Sequence, residues 1–276
     1  MRRRTLKGEI SFRGTGLHSG DPAECVLKPS CDKGFIFSFP GGNSFCLEEG
    51  SFSGDGRGVT LSFPTGEMIR TPEHLLASLV GHGIDDVEIS IINGSEIPAM
   101  DGSAIEFSSA IMEGGIREKE DTKDFITLPV PFGKEYPDHN SMMWLFPYEG
   151  FKVTCVIDFP GTLIGTSCLS LEIDPSTFHS EIAPARTFAL GTEISWLKEK
   201  GLARGGSLEN AILVEEGRIL ASGGLRYGDE FVRHKILDII GDMALLGRPL
   251  RAHIFAFRTG HRTHVDLVGR ISSLFR

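Results

Sequence analysis

The strongest predicted helix carries side chains that could bind a metal ion. His234 and Asp238 are four residues apart, so both side chains lie on one helix face, about one turn apart. This spacing suits metal chelation, although an isolated pair is also compatible with a hydrogen bond on a solvated helix face. Asp242 adds a third titratable group to the row. Because an unpaired buried carboxylate is unfavourable, such a row on an otherwise apolar helix favours a functional role.

Glu73 and His74 form a second motif, in the first turn of another predicted helix. Adjacent side chains diverge by about 100°, so one could bind a metal ion while the other reaches a water molecule on that ion. The alternative is that Glu73 complements the helix dipole and His74 is a partly buried polar residue. His261, at a turn between a strand and a helix, and His18, in a glycine-flanked loop, are further candidates. The remaining histidines are predicted to have surface or packing roles: His82, His139, His179, His253 and His264.

Short strands and amphipathic helices must position these residues. Thr71 is predicted to be the N-cap and Pro72 the first residue of a helix over 71–81, and Asp229 is expected to cap a helix over 229–246. The other predicted helices cover 107–112, 191–200 and the segment after His261, and predicted strands lie around 35–39, 87–91, 125–130, 142–146, 152–159 and 252–257.

The chain is long enough for two domains. Of its 276 residues, 40% are apolar and 24% are charged, which is sufficient to bury a core. The charged, glycine-led segment 114–123 is poorly suited to a core, so we place the boundary there, between residues 1–121 and 122–276. Each half then has strands and about two helices, which predicts an α+β fold class.

Charge and cysteine content exclude several classes of function. The net charge of -9 opposes a general attraction to nucleic acid or anionic lipid, so an anionic ligand must be held by a local cluster of Lys and Arg. Five cysteines without a CxxC pair are typical of free thiols in a reducing compartment. We find neither a secretory signal nor an apolar run near the ~20 residues of a membrane-spanning helix. We therefore expect a cytoplasmic protein that does not insert stably into membranes. We also expect a monomer, although none of these features determines the oligomeric state.

Short motifs occur in a fixed order along nearly the whole chain. They are RTLK at 4–7, GTGLHSG at 14–20, TPEHLLA at 71–77, PAMDGSA at 98–104, EIAPARTF at 181–188, GGS at 205–207, GLR at 224–226, DEFVRHKILD at 229–238, GD at 241–242 and GH at 260–261. Together they resemble the zinc-dependent UDP-3-O-acyl-N-acetylglucosamine deacetylases, enzymes of the committed step of lipid A synthesis in Gram-negative bacteria. The resemblance implies a hydrolase that removes the N-acetyl group of that nucleotide sugar and releases acetate, with substrate and water as its partners.

The resemblance also implies a metal site and catalytic roles. His74, His234 and Asp238 correspond to the ligands of one Zn²⁺, with one coordination position open to water. Glu73 corresponds to the general base. His261 corresponds to the cation that stabilises developing charge and protonates the departing amine.

Two further side chains take supporting roles by the same resemblance. Asp242 corresponds to the partner that orients His261, and Thr187 to a hydroxyl that helps to stabilise the tetrahedral oxyanion. The chain departs from many relatives after His261, where residues 262–265 read RTHV and relatives have Ala-Leu-Asn-Asn. The surroundings of His261 are therefore expected to differ.

The implied fold has two similar β-α-α-β sandwich domains, each a sheet layered on helices, with the active site at their interface. An inserted β-α-β element at about 187–220 is expected to form a passage for the acyl chain, although ordinary core packing is the alternative for its apolar residues. The residues predicted to contact substrate are Lys235 near the sugar, Arg258 near the diphosphate, His18, Phe188, Ile194, Ser207 and Ala211. Without the resemblance, a zinc hydrolase of unknown substrate and an inert sugar- or lipid-binding protein are both possible. A zinc peptidase is disfavoured, because the chain lacks the H-E-x-x-H signature of that class.

Overall fold

The computed structural model describes residues 1–54 and 57–275. Its strands and helices follow one another in two similar rounds along the chain. The first round contains β1 (Arg2–Leu6), β2 (Ile10–Thr15), β3 (Pro22–Pro29), β4 (Gly34–Ser38), β5 (Ser44–Cys46), β6 (Ser51–Gly54), β7 (Val59–Ser62), β8 (Met68–Arg70), α1 (Glu73–Gly81), β9 (Asp86–Asn93), α2 (Ile105–Gly114) and β10 (Ile116–Thr122). The second contains β11 (Ile126–Thr127), β12 (Phe132–Tyr136), β13 (Ser141–Pro147), β14 (Phe151–Phe159), β15 (Gly165–Glu172), α3 (Pro175–Thr177), β16 (Phe188–Leu190), α4 (Ile194–Glu199), β17 (Ile212–Glu215), β18 (Arg218–Leu220), α5 (Glu230–Met243), β19 (Leu250–Phe257) and α6 (His261–Leu274). The predicted α+β class is confirmed.

The main sheets of the two rounds have the same strand order and sense. One runs β2-β3-β9-β4-β5 and the other β12-β13-β19-β14-β15, with β11 also paired to β19. In both sheets the central strand, β9 or β19, pairs antiparallel on one side and parallel on the other. In both rounds this central strand lies between two helices in the chain, α1 and α2 or α5 and α6. The halves are therefore similar in topology although their sequences show no repeat.

Helices α1 and α5 pack directly against each other and bring the two halves together. Leu75, Leu76 and Leu79 of α1 are fully buried, as their helical spacing predicts. Burial of each such side chain contributes about 1.5–3 kcal/mol to folding. None of the helices in the described ranges combines the length and apolar character needed to span a bilayer.

Both predicted caps differ from the structure. Thr71 lies in the left-handed region (φ 51°), and its hydroxyl donates to Glu96 at 3.3 Å, so it does not cap α1. Asp229 occupies the N-cap position of α5, but its carboxylate accepts a hydrogen bond from Arg233 at 2.6 Å. Pro72, predicted as the first helical residue, holds the N-cap position of α1, and Arg233 occupies the Asp229 carboxylate at the start of α5. The predictions that these side chains cap their helices are wrong.

The range predicted as an insert has its own small sheet. Strands β16 and β17 pair in parallel with α4 between them in the chain, and β18 extends the sheet on the other side of β17. The predicted boundary segment, 114–123, contains all of β10, which pairs with β1 and is largely exposed. The domain division at 121/122 stays a prediction.

A buried ion-pair cluster fastens the start of the chain to the first main sheet. The Asp86 carboxylate is fully buried and accepts hydrogen bonds from Arg3 Nε at 3.0 Å and from Gly34 N at 2.8 Å. Lys119 of β10 lies 2.9 Å from the same carboxylate. Burial by itself would raise the pKa of Asp86, but the hydrogen bonds from Arg3 and Lys119 outweigh it and hold that pKa below its ordinary value.

We expect Asp86→Asn to lower the free energy of unfolding at neutral pH by on the order of 3 kcal/mol, because it leaves Arg3 buried without its counter-ion. An Asp with a depressed folded-state pKa stabilises the protein above the unfolded pKa, about 4, and this contribution is lost as pH falls through the folded pKa. Urea unfolding from pH 7 to pH 3 should show a shallower acid loss in the variant. Asp124→Asn, at an exposed ion pair, is the control. Equal acid sensitivity of wild type and Asp86→Asn would contradict the assignment.

Candidate active site

A cavity of about 320 Å³ opens where the starts of α1 and α6 and one face of α5 meet the small sheet of β16, β17 and β18. It has a polar part formed by Glu73, His74, His234, Asp238 and His261, and a mainly apolar part that extends along the insert. Of the residues predicted from sequence, those that line this cavity are Glu73, His74, His234, Asp238, His261, Thr187, Lys235, Phe188, Ile194, Ser207, Ala211 and His18.

The three predicted metal ligands come from two helices and lie together. His74 is in the first turn of α1, and His234 and Asp238 are one turn apart on α5. Asp238 Oδ1 is 3.4 Å from His234 Nε2 and 3.7 Å from His74 Nε2. One potential ligand atom from each residue lies within 4.8 Å of the others. The three side chains could therefore share one cation.

The two α5 residues of this group, His234 and Asp238, have the protonation states that a transition metal requires. The Nδ1–H of His234 donates to the carbonyl of Ala185 at 3.0 Å, which leaves the Nε2 lone pair facing Asp238. Burial lowers the pKa of His234 to about 4, so this imidazole is neutral at physiological pH. Burial alone would raise the pKa of Asp238, but the nearby charges of Lys235 and His261 outweigh it and hold that pKa well below its usual range.

Lys235 extends from α5 beside the same carboxylate. Its ammonium donates to Asp238 Oδ2 at 2.8 Å and lies 5.6 Å from the centre of the Phe188 ring. Burial alone would lower the pKa of Lys235, but Asp238 outweighs that effect and raises it. Lys235 therefore presents a positive charge at the boundary between the polar and the apolar parts of the cavity.

Glu73 and His261 face each other across the polar part. Glu73 is 4% exposed, and its Oε1 is 4.0 Å from His261 Nε2. Burial raises the pKa of Glu73 to about 7, with the charge on His261 acting in the opposite direction. Burial would lower the pKa of His261, but Asp242 and Asp238 outweigh it and raise that pKa to about 10. Near neutral pH the pair therefore combines a carboxylate that can take up a proton with an imidazolium that can release one.

Asp242 lies behind His261, away from the cavity. Its Oδ2 is 2.8 Å from His261 Nδ1 and 2.7 Å from His264 Nδ1, and all three residues are buried. Burial would raise the pKa of Asp242, but the two imidazoles hold it below its ordinary value. Asp242 can thus orient His261 without contacting a ligand in the cavity.

Thr187 connects the insert to the polar part of the cavity. Its backbone N–H donates to the carbonyl of Gly102 at 2.8 Å, and its own carbonyl accepts from Ile212 N at 2.8 Å. These bonds fix Thr187 between the first half of the chain and β17. Thr187 borders the same cavity as Glu73 and His74.

Arg258 lies outside the set of described residues that line the cavity. It adopts φ 53° at the end of β19, and its guanidinium donates to Asp158 at 3.0 Å. It is nevertheless only three residues before His261, and its side chain is 31% exposed. A contact between Arg258 and a diphosphate stays a prediction.

Sequence reasoning missed three residues at this site. Arg57 lines the cavity, pairs with Glu193 at 2.6 Å and lies over the Trp196 ring, but no motif marked it. Glu96 holds the loop of His18 by accepting hydrogen bonds from the backbone of residues 18 and 19. His264 was predicted to have a surface or packing role, yet it is a buried partner of Asp242. Its spacing of three from His261 at the start of a helix was an available signal.

Comparison with known proteins identifies the family. The family model described as "LpxC: UDP-3-O-acyl N-acetylglycosamine deacetylase" matches residues 3–273. Relatives named UDP-3-O-acyl-N-acetylglucosamine deacetylase include one from Thermodesulfovibrio yellowstonii, 40% identical over 97% of this chain and 91% of the relative. Others come from Chlamydia trachomatis, 40% identical over 97% and 94%, and Myxococcus xanthus, 38% identical over 98% and 86%. Because both the family model and these relatives cover almost the whole chain, it belongs to the LpxC deacetylase family.

Proposed function

We propose that this chain is a zinc-dependent hydrolase that removes the N-acetyl group of UDP-3-O-acyl-N-acetylglucosamine and releases acetate. One observation carries the proposal: three metal-type ligands, a proton-accepting Glu73 and a cationic His261 border one cavity that continues into an apolar passage. The names of relatives that cover nearly the whole chain support the same substrate. An inert sugar- or lipid-binding protein would not need the paired acid and base.

The donor set at His74, His234 and Asp238 fits Zn²⁺. Two imidazole nitrogens and one carboxylate oxygen are ligands that zinc commonly takes in hydrolases, whereas calcium and magnesium prefer oxygen donors alone. The hydrogen bond from His234 Nδ1 to Ala185 leaves Nε2 free to bind, which supports the assignment. Bound there, Zn²⁺ would supply Lewis acidity to the hydrolysis.

The protein's own residues manage the protons. Glu73 takes a proton from the attacking water, and the water oxygen forms a bond to the acetyl carbonyl carbon. His261 then gives its Nε2 proton to the sugar nitrogen as the C–N bond breaks, so that acetate and an amine leave. Asp242 keeps the Nδ1–H side of His261 occupied, which leaves Nε2 as the proton donor toward the cavity.

Other side chains position the substrate. Thr187 is proposed to donate to the developing oxyanion, since it borders the same cavity as Glu73 and His74. Lys235, beside Phe188, is proposed to bind the sugar at the point where the acyl chain branches from it. Arg258 remains the proposed diphosphate contact, since it is a partly exposed cation in the short loop between β19 and His261.

The apolar part of the cavity suits an acyl chain. Phe188 of β16, Ile194 and Leu197 of α4, Leu213 of β17 and Ala211 just before β17 border it. Ser207 and His18 are polar residues along the same cavity. Burial of methylene groups against these side chains would stabilise the complex by about 0.8 kcal/mol per CH₂.

An active monomer is kept as part of the proposal. The net charge of -9 supports a small-molecule substrate over nucleic acid. Cytoplasmic location is kept as part of the proposal, because all five cysteines are free thiols and a reducing compartment would maintain them.

We expect His234→Ala to lose bound zinc and acetate release together, since it removes one of three protein ligands. Metal analysis of the purified protein and an acetate-release assay measure the two effects. His82→Ala is the matched control, because His82 is as buried as His234, at 2% exposed each, but contacts Ser108 away from the cavity. Stoichiometric zinc in His234→Ala would remove His234 from the ligand set.

We expect Glu73→Gln to reduce kcat by on the order of 10²–10⁴-fold, because the amide cannot accept the proton of the attacking water. Zinc content should be unchanged, since Glu73 is not one of the proposed ligands. Glu106→Gln is the control, because Glu106 is also in the first turn of a helix, α2, but does not line the cavity. A variant that keeps wild-type kcat would exclude Glu73 as the base.

We expect UDP-N-acetylglucosamine, which lacks the acyl chain, to be a far poorer substrate in kcat/KM. Loss of about four buried CH₂ groups would amount to about 3 kcal/mol, which is more than a hundredfold. Ala211→Phe should narrow the passage and lower kcat/KM for the acylated substrate, while the slow reaction of the acyl-free sugar stays the same. Equal kcat/KM for both sugars in wild type would point to a general N-acetylglucosamine deacetylase.

A further inference from the structure

His264 is a fully buried histidine that lies behind the active site. It is one helical turn after His261 in α6, and both rings face Asp242 of α5. On its other side, His264 Nε2 is 2.8 Å from the hydroxyl of Thr259, in the loop that precedes α6. His264 thus joins this loop to a carboxylate that contacts His261.

The pattern of donors and acceptors determines which ring nitrogens of His261 and His264 carry protons. Asp242 is ionised, because its imidazole partners hold its pKa below the ordinary value, so its Oδ2 accepts from both Nδ1–H groups. Burial lowers the pKa of His264, which favours a neutral ring. A neutral ring that donates from Nδ1 must accept at Nε2, and the Thr259 hydroxyl is the donor placed to serve it. Thr259 therefore selects the tautomer of His264 that can donate to Asp242.

The carboxylate of Asp242 depends on these two rings for its orientation. Its Oδ1 is buried and finds no hydrogen-bond partner among the described residues, whereas Oδ2 accepts both hydrogen bonds. Without a hydrogen bond to Oδ1 from the described residues, rotation of the carboxylate is restrained only by the contacts at Oδ2. The His264 ring supplies a second fixed donor, and so keeps Oδ2 directed at the place where His261 Nδ1 must bind.

We propose that His264, held by Thr259, is a positioning residue that orients Asp242 and through it aims His261 Nε2 into the cavity. The proposal rests on the proposed function, in which His261 is the proton donor. His264 does not itself line the cavity among the described residues, so it should act on the chemical step and leave ground-state binding of substrate nearly unchanged.

The same three side chains could also be viewed as a second metal site. One potential ligand atom from each of Asp242, His261 and His264 lies within 4.8 Å of the others. The separations of 2.7 and 2.8 Å between carboxylate and ring nitrogens are those of charge-assisted hydrogen bonds, which favours the positioning role. Metal analysis of the variants below separates the two.

Three variants test the proposal. His264→Leu removes both contacts of the ring, His264→Asn keeps an N–H near the position of Nδ1 but loses Thr259, and Thr259→Val removes only the hydroxyl. We expect kcat to fall about 10- to 100-fold in His264→Leu, with KM nearly constant, and to recover largely in His264→Asn. Thr259→Val should lie between these limits.

His82→Leu is the control for the loss of a buried histidine whose partner, Ser108, is elsewhere; it should keep wild-type kcat.

NMR of the zinc-loaded protein with ¹⁵N-labelled histidine supplies a readout that does not need turnover. In wild type we expect a neutral His264 with protonated Nδ1 and unprotonated Nε2, and a hydrogen-bonded Nδ1–H on His261. The His261 signal should broaden or shift in His264→Leu and be restored in His264→Asn. If wild type released no acetate, the proposed function would fail while these spectra still tested the positioning role.

Several outcomes would overturn the proposal. Wild-type kcat and an unchanged His261 signal in His264→Leu would show that Asp242 needs no second donor. If His264→Leu does not fold, the same result in Thr259→Val, with the wild-type tautomer of His264, would do so. A second equivalent of zinc that disappears in His264→Asn would assign the cluster to a metal. A loss of kcat that matched His82→Leu and was not rescued in His264→Asn would indicate a structural role only.

Discussion

The close crossing of α1 and α5 is the constraint on which the site depends. A Cβ at Gly241 would lie 2.1 Å from the carbonyl oxygen of Glu73, so only glycine permits the two helix backbones to approach this closely. The approach carries the first turn of α1 to the face of α5 that bears His234 and Asp238. Proposed ligands more than 150 residues apart in the chain are thus brought within a few ångströms by two helices. Rigid helices are the better support for such geometry.

Burial of several ionisable groups in one place separates their proton affinities. Burial alone would raise the pKa of every carboxylate here, but Asp238 and Asp242 each have a cation in hydrogen-bond or close electrostatic contact and remain ionised. Glu73 has no direct partner of that kind at its Oε1, since His261 Nε2 is 4.0 Å away, and its pKa rises to about 7. One environment therefore yields two permanent anions and one carboxylate able to exchange a proton near neutral pH.

The two topologically similar halves differ most in the segments that precede their first long helix. In the first half this segment is the sheet of β6, β7 and β8, which packs on α6 close to His261. In the second half it is the insert of β16, α4, β17 and β18, which borders the apolar part of the cavity. The shared framework thus supplies the helix pair, while one addition packs against α6 and the other borders the apolar part of the cavity.

The sequence by itself determined the class of fold, most helices and strands, and many of the residues that border the cavity, because helical spacing and ordered motifs are local or nearly local properties. The caps at Thr71 and Asp229 were misjudged, since a side chain competes for partners that are distant in sequence, such as Glu96 for Thr71. Only the tertiary structure decided that Asp242 serves two histidines, and that Arg258 pairs with Asp158 outside the cavity wall. Those outcomes depend on which polar groups are left to satisfy one another after α5, α6 and the sheets have packed, and no local pattern encodes that choice.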